Sequence, residues 1–213
     1  MKYKAIVFDW DGTLMDSIGK IVESMQTSAV HLGLPTPSFE QAKDVIGISL
    51  LPALKQLFNI QDEIAAIELF HTYKEHFKDH AQIISPLFSG TIPLLESLKQ
   101  QGYILAVATG KGRQGLEHNW QHSNTKHFFS ASRTADDAQS KPSPDMLQQL
   151  LSELNLTAEQ VLMVGDTTYD MAMAEAINMD RIGVSFGVHS ADTLQKHAPL
   201  AVIDSLEELL LHV

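Results

Sequence analysis

The sequence of 213 residues contains no cysteine. This absence excludes disulfide bonds, a catalytic thiolate and a cysteine-based zinc site. No apolar run approaches the roughly 18 residues that a membrane-spanning helix needs. Only the short apolar segment Ala5–Phe8 precedes the first aspartate, which is too little for the core of a signal peptide. We therefore expect a soluble, cytoplasmic protein with no membrane partner.

Positive charge is also scarce, because 15 Lys and Arg residues face 26 Asp and Glu residues and leave a net charge of -11. Nucleic acids and anionic membranes are bound by clustered Lys and Arg, so no nucleic-acid partner is expected. An anionic ligand would have to be bound by a few cations gathered at one site, or by a metal ion. The hydrophobic fraction of 44% is that of an ordinary globular protein, which we expect to be a monomer or a weak homodimer.

Short apolar runs separated by helical patterns predict an α/β fold. The runs are continuous, as in strands that are buried on both faces of a parallel sheet. Apolar residues over 146–154 and 92–98 recur at helical spacing, and Ser143 is expected to cap the former helix, with Pro144 in its first turn. The predicted fold class is a doubly wound, Rossmann-like parallel sheet. Its predicted strands are Ala5–Phe8, Ile104–Thr109, Val161–Val164, Ile182–Ser185 and Ala201–Ile203.

The stretch from residue 16 to residue 84 reads as entirely helical, with no predicted strand. An all-helical insertion directly after the first strand is the simplest explanation, with crossings near Met15–Ser17 and Ile83–Ser89. We therefore predict an α/β core of residues 1–15 and 86–213 and a helical cap of residues 16–85. The predicted cap helices cover residues 18–32, 39–46, 49–58 and 61–79.

Two carboxylates follow the first predicted strand, Asp9 and Asp11, with Trp10 between them. Residues two apart on an extended chain point the same way, so the two acids would face one site while Trp10 faces the core. Gly12 permits a sharp turn close to a ligand. Adjacent carboxylates repel each other unless a cation lies between them, and a hard divalent ion such as Mg²⁺ suits oxygen ligands.

Further polar residues follow other predicted strands, at the edge where open α/β sheets bind their ligands. Asp166 and Asp170 are one helical turn apart after the third of these strands, and Asp166 could alternatively only cap a helix. Thr109 and Gly110 follow the second strand, where a hydroxyl and backbone N–H groups can hold an anion. Lys141 precedes a predicted helix and offers a cation.

Taken in order, these motifs resemble those of the haloacid dehalogenase-like (HAD) superfamily. Within it the chain is most similar to the phosphoglycolate phosphatase-like subfamily, whose helical cap is inserted after the first motif. The resemblance implies a phosphatase that acts on a small phosphorylated metabolite. The motifs are Asp9-x-Asp11-Gly12-Thr13-Leu14-x-Asp16-Ser17, then Thr109, then Lys141-Pro142-x-Pro144, then Gly165-Asp166-x-x-x-Asp170.

The resemblance also implies the roles of the acidic residues. Asp9 attacks phosphorus and forms an aspartyl-phosphate. Asp11 protonates the leaving oxygen and then takes a proton from the water that hydrolyses the intermediate. Mg²⁺ is expected to bind the Asp9 carboxylate, the Asp11 backbone carbonyl and Asp166, while Asp170 bonds a metal-bound water or lies in the outer shell.

The remaining residues would bind the phosphate. Thr109 and the Gly110 N–H hold phosphoryl oxygens, and Lys141 offsets charge on the nucleophile and the phosphate. A sugar phosphomutase of the same superfamily shares the first motif and is the alternative within this class.

An alternative of another class is a dinucleotide-binding oxidoreductase. Gly110, Gly112 and Gly115 fit the pattern G-x-G-x-x-G after a strand, with Asp136 and Asp137 about twenty residues further on. These glycines follow a middle strand rather than the first βαβ unit, and this alternative leaves both acidic pairs unexplained. We therefore expect the phosphatase.

Overall fold

The computed structural model describes residues 2–79 and 85–213. Within them lies one parallel sheet of six strands in the order β3-β2-β1-β4-β5-β6. The central strand β1 pairs with β2 and β4, so that Phe8 lies opposite Val107 and Val164. The strands are β1 Ala5–Phe8, β2 Ile104–Ala108, β3 Ala131–Arg133, β4 Val161–Gly165, β5 Asp180–Val184 and β6 Ala201–Ile203.

Five of these strands were predicted, and β3 was not. Strand β3 contains Ser132 and Arg133, both half-buried, because it lies at an edge of the sheet where full burial is not required. Strand β5 begins at Asp180, two residues before the predicted apolar run, because its polar first residues still pair with β4. Hydrophobicity alone therefore located five strands, the edge strand β6 included, but not the more polar edge strand β3.

Helices cover both faces of the sheet, which confirms the doubly wound fold. Along β1, Ile6 and Phe8 pack on one face with α5 and α6, while Ala5 and Val7 pack on the other face with α7 and α8. The helices of this part of the chain are α5 Thr91–Gln100, α6 Arg113–Ser123, α7 Asp145–Leu154, α8 Thr168–Glu175 and α9 Ala191–Gln195.

The predicted Ser143 cap of α7 is wrong. Pro144 occupies the N-cap position with φ -73°, and no side chain caps the helix there. Ser143 lies one residue earlier, where its Oγ accepts a bond of 3.4 Å from the Asp145 N–H. The helix begins one residue later than predicted because Pro144 stands before its first turn rather than in it.

The predicted helical insertion after β1 is present as four helices in the described part of the chain. They share a hydrophobic cluster that includes Met25 of the first helix, Leu54 of the third and Leu69 of the fourth, and that Val188 from the loop after β5 also joins. The helices are α1 Ile18–His31, α2 Phe39–Asp44, α3 Leu50–Leu57 and α4 Glu63–Asp79.

The crossing predicted near Ile83–Ser89 falls partly outside the described residues. The division into a core of residues 1–15 and 86–213 and a cap of residues 16–85 stays a prediction. None of the helices in residues 2–79 and 85–213 is long and apolar enough to span a membrane.

Candidate active site

The first part of the site is the chain directly after β1. Asp9 and Asp11 both line a cavity at the carboxyl edge of the sheet. Trp10 between them is fully buried in the core, with its ring 6.3 Å from Trp120 and 6.0 Å from Phe129. The alternation predicted from the sequence is therefore observed, and it presents two carboxylates to one site.

A tight turn at Gly12 brings this segment against β4. The Gly12 N–H donates to the Met15 carbonyl at 2.9 Å, and the residue has φ +88°. A Cβ atom at this position would lie 2.2 Å from Oδ2 of Asp166. The turn therefore depends on glycine both for its backbone angle and for the close approach of Asp166.

The end of β4 supplies Asp166, whose carboxylate is held by its neighbours. Thr13 Oγ1 donates to its Oδ1 at 2.8 Å, and the Val188 N–H donates to its Oδ2 at 2.8 Å. Helix α8 is capped by Thr167, whose Oγ1 accepts from the Asp170 N–H at 3.1 Å. The alternative that Asp166 only caps this helix is therefore wrong.

Lys141 joins two of the aspartates inside the protein. Its Nζ donates to Asp9 Oδ1 at 2.7 Å and to Asp170 Oδ1 at 2.6 Å, and its side chain is fully buried. Burial opposes the ammonium charge, but Asp170 and Asp9 outweigh it and raise the pKa of Lys141 above the usual lysine value. Lys141 is thus a charged lysine that holds the site together.

The aspartates form a cluster that fits a metal ion. One oxygen from each of Asp9, Asp166 and Asp170 lies within 4.8 Å of the others. Burial raises the pKa of Asp9 well above its ordinary value, partly offset by Lys141, and raises the pKa of Asp166 to about 7.

Three buried carboxylates beside one ammonium leave an excess of negative charge. Within residues 2–79 and 85–213, Asp9 Oδ2 is buried without a hydrogen-bond partner. Oxygen ligands with uncompensated charge are what Mg²⁺ prefers, so this donor set fits the predicted cofactor.

The end of β2 supplies Thr109 and Gly110, which also line the cavity. The Thr109 N–H donates to Arg133 of β3 at 3.0 Å, and its Oγ1 accepts from the Lys111 N–H at 3.2 Å. A Cβ at Gly110 would lie 2.6 Å from the carbonyl oxygens of Gly47 and Ile48. The loop between α2 and α3 therefore rests directly on this turn.

Two contacts on Asp11 were not predicted. Ser17 Oγ donates to Asp11 Oδ1 at 2.6 Å, and Lys111 Nζ lies 2.9 Å from Asp11 Oδ2. Ser17 belongs to the first motif, so its place in the motif was the only sign of this bond. Nothing in the sequence pairs Lys111 with Asp11, which is a hundred residues earlier.

The glycine pattern Gly110–Gly115 does not form a dinucleotide site. Such a site places a pyrophosphate at the N-terminus of the following helix. Here Asp136 Oδ2 accepts from the Arg113 N–H at 2.7 Å, at the start of α6. A carboxylate therefore occupies the position that the pyrophosphate would need.

The model of the haloacid dehalogenase-like hydrolase family matches residues 6–184. A phosphoglycolate phosphatase of Aliivibrio fischeri is 32% identical over 216 residues, covering 97% of this chain and 95% of the relative. A 5'-nucleotidase of Pseudomonas aeruginosa is 32% identical over 200 residues, covering 93% and 90%. A solved structure from Bacteroides fragilis, described as a haloacid dehalogenase-like hydrolase, superposes with a TM-score of 0.92 at 26% identity, covering 98% of this chain and 100% of that one.

The doubly wound parallel sheet, with an aspartate cluster beside a cavity at its carboxyl edge, defines the class as a Rossmann-like α/β enzyme with an acidic site at its strand ends. The chain belongs to the haloacid dehalogenase-like hydrolase family, in the subfamily similar to phosphoglycolate phosphatase. The predicted superfamily, fold class and phosphatase enzyme class are confirmed at this level. The oxidoreductase alternative is excluded by the same membership.

Proposed function

We propose that the chain is a Mg²⁺-dependent phosphatase that hydrolyses a small phosphate monoester through an aspartyl-phosphate. The observation that carries this proposal is the setting of Asp9. Its Oδ1 is held by Lys141 at 2.7 Å, and its Oδ2 has no partner among the described residues. A carboxylate that is fixed at one oxygen, unsatisfied at the other and placed on a cavity is suited to nucleophilic attack.

In the first step a carboxylate oxygen of Asp9 bonds to phosphorus, and the bond from phosphorus to the alcohol oxygen breaks. Asp11 passes a proton to that leaving oxygen. In the second step water attacks phosphorus, Asp11 takes a proton from the water, and phosphate leaves as Asp9 regains its carboxylate. Ser17 and Lys111 bond the Asp11 carboxylate, and they hold it over the cavity for both transfers.

The metal would be held by the Asp9 carboxylate, the backbone carbonyl of Asp11 and Asp166, and when bound it would neutralise charge on the phosphoryl oxygens. Asp170 fits a role through a water molecule. Its Oδ1 already accepts from Lys141 at 2.6 Å, and its Oδ2 accepts from Thr167 Oγ1 at 2.7 Å.

In this proposal Thr109, Gly110 and Lys141 bind the phosphate. The Thr109 hydroxyl and the Gly110 N–H would donate to phosphoryl oxygens, and the Lys141 ammonium would offset their charge. Helices α1–α4 act as the cap that closes the site in this proposal. The bond of 2.9 Å from the Ser49 N–H to Ser140 Oγ supports it, because it joins the helical insertion to the loop that carries Lys141.

The test is release of inorganic phosphate from 4-nitrophenyl phosphate and from phosphoglycolate, the substrate named for the Aliivibrio fischeri relative. Asp9→Asn is expected to reduce release to background with both compounds, because an amide oxygen is a poor nucleophile. Removal of divalent ions with EDTA should do the same, and added Mg²⁺ should restore activity.

Asp192→Asn is a matched control, because Asp192 is exposed in α9 and should leave release unchanged. Phosphate release by Asp9→Asn at the wild-type rate would overturn the assignment of the nucleophile. Conversion of a hexose phosphate into its isomer without phosphate release would favour the phosphomutase.

A further inference from the structure

The cavity at the edge of the sheet has a volume of about 240 Å³, somewhat below the range of about 300–1,000 Å³ for ligand pockets. Its floor is formed by the strand ends that carry Asp9, Asp11 and Thr109. The helical insertion forms a wall of the cavity through α1, α3, α4 and the loop between α2 and α3, and residues of α6 line another side. A phosphate bound at the floor would therefore direct its alcohol group toward this wall.

The wall is apolar. Ile21 and Met25 of α1, Val45 of the loop, Ala53 of α3 and Tyr73 of α4 all line the cavity, and all five are buried. A small polar alcohol group would leave this apolar surface in contact with water, whereas an apolar group would bury it.

The ring of Phe77 in α4 extends the wall to the cations of the cavity. Lys20 Nζ lies 4.6 Å from the ring centroid and Lys111 Nζ lies 5.3 Å from it. Lys111 Nζ also lies 2.9 Å from Asp11 Oδ2. The described cations that line this side are lysines, not the arginine fork that binds a carboxylate through two bonds.

We propose, on the basis of the phosphatase function above, that the preferred substrate is a phosphate monoester of an alcohol with a bulky apolar body. The phosphate binds at Asp9 and Thr109, and the apolar body packs against Phe77 and the wall of α1, α3 and α4. Phe77 and Ala53 are then specificity-determining residues, since Phe77 offers the ring surface and Ala53 leaves the space that the apolar body fills.

The test compares 2-phenylethyl phosphate with ethyl phosphate. Both release a simple primary alcohol, so their intrinsic reactivity is similar and the comparison reports on binding of the apolar body. We expect kcat/KM to be higher for 2-phenylethyl phosphate by at least about tenfold, because a phenyl ring buries a large apolar area. Phosphoglycolate is included in the panel as the small anionic compound.

Two variants change the wall in opposite ways. Phe77→Ala removes the ring and should reduce the preference severalfold while ethyl phosphate is still hydrolysed. Ala53→Leu fills the cavity and should reduce kcat/KM for 2-phenylethyl phosphate more than for ethyl phosphate. Ile64→Ala is the control, because Ile64 is in the same helix as Phe77 but 78% exposed, and it should leave the preference unchanged.

The inference is overturned if wild-type protein shows no preference for the larger ester, if phosphoglycolate is the better substrate by tenfold, or if Phe77→Ala leaves the preference intact. Hydrolysis of 4-nitrophenyl phosphate separates this failure from failure of the proposed function. If that hydrolysis requires Asp9 and Mg²⁺ while the preference is absent, only the apolar substrate class is wrong. If it is absent from wild-type protein, the phosphatase proposal itself fails.

Discussion

At the scale of single residues, the site depends on how closely the turn after β1 approaches the end of β4. Gly12 has φ +88°, and an added Cβ would meet the Asp166 carboxylate at 2.2 Å. Two costs would therefore arise from one methyl group, namely a strained backbone and a displaced aspartate. The second cost affects catalysis, because a shift of about 1 Å in a reacting group can reduce the rate about 100-fold.

Gly12→Ala is therefore expected to reduce kcat/KM by about 100-fold. The matched control is Gly102→Ala, because Gly102 has φ +89° but no atom within 4 Å of the added Cβ. Both variants should lose about 1 kcal/mol of stability from backbone strain, and only Gly12→Ala should lose activity. Phosphate release and thermal unfolding measure the two effects. Equal activity in the two variants would show that the approach of Asp166 is not critical.

Residues that act at strand ends could be predicted because parallel strands bring their carboxyl ends to one edge. Asp9, Thr109 and Asp166 follow three neighbouring strands, and the sequence alone placed them together. The bond of Lys111 to Asp11 could not be predicted, because it depends on the path of a flexible side chain across the cavity. The same limit applies to the full burial of Lys141 between two aspartates.

At the scale of secondary structure, the N-terminus of α8 links a helix cap to the candidate metal site. Thr167 Oγ1 accepts from the Asp170 N–H at 3.1 Å and donates to Asp170 Oδ2 at 2.7 Å. The Thr167 N–H donates to the same oxygen at 3.0 Å. Because these bonds fix the side chain of Asp170, the cap that begins the helix also orients the carboxylate that bonds Lys141.

Thr167→Ala is expected to cost about 1 kcal/mol of stability through loss of the cap. It should also weaken the binding of Mg²⁺, because the side chain of Asp170 is no longer held in one orientation. The control is Ser38→Ala, because Ser38 forms the same type of capping box at α2. Both variants should unfold at similarly lower temperatures, but only Thr167→Ala should need more Mg²⁺ for half-maximal activity. An unchanged Mg²⁺ dependence in Thr167→Ala would show that the helix cap does not orient Asp170 for metal binding.

The four helices of the insertion and five of the six described strands were predictable from apolar patterns. What was missed depends on tertiary context. Ala131–Arg133 becomes a strand only because β2 offers it a partner, with Ala108 opposite Arg133. The start of α7 at Asp145 likewise depends on how the loop with Lys141 enters the helix. Local pattern therefore predicts elements that bury apolar surface, and less well a short, partly polar strand such as β3.

At the scale of the whole molecule, a buried acidic cluster couples metal binding to the stability of the fold. Asp9, Asp166 and Asp170 are all buried within the same small volume, and Lys141 supplies one positive charge against them. The folded chain therefore carries a repulsion that the unfolded chain, with its carboxylates in water, does not have. A cation that binds only the folded state removes this repulsion and shifts the unfolding equilibrium.

Mg²⁺ at 100 times its dissociation constant is expected to stabilise the wild-type fold by about 2.7 kcal/mol, which raises Tm by roughly 5–10 °C for a chain of this size. Asp166→Asn should lose most of this increase, because it removes a charged oxygen ligand. Without Mg²⁺ the same variant should unfold at a temperature no lower than wild type, because one buried negative charge is gone.

Thermal unfolding of both proteins with Mg²⁺, and with NaCl at equal ionic strength, measures these differences. Salt screens exposed charges but reaches buried ones far less, so NaCl should reproduce little of the increase. The same rise in Tm with Mg²⁺ in wild type and Asp166→Asn would mean that the ion binds at other carboxylates of this acidic protein. A rise confined to wild type would instead tie the stability of the whole fold to the aspartates at its sheet edge, since only a site that is formed on folding can transmit metal binding to Tm.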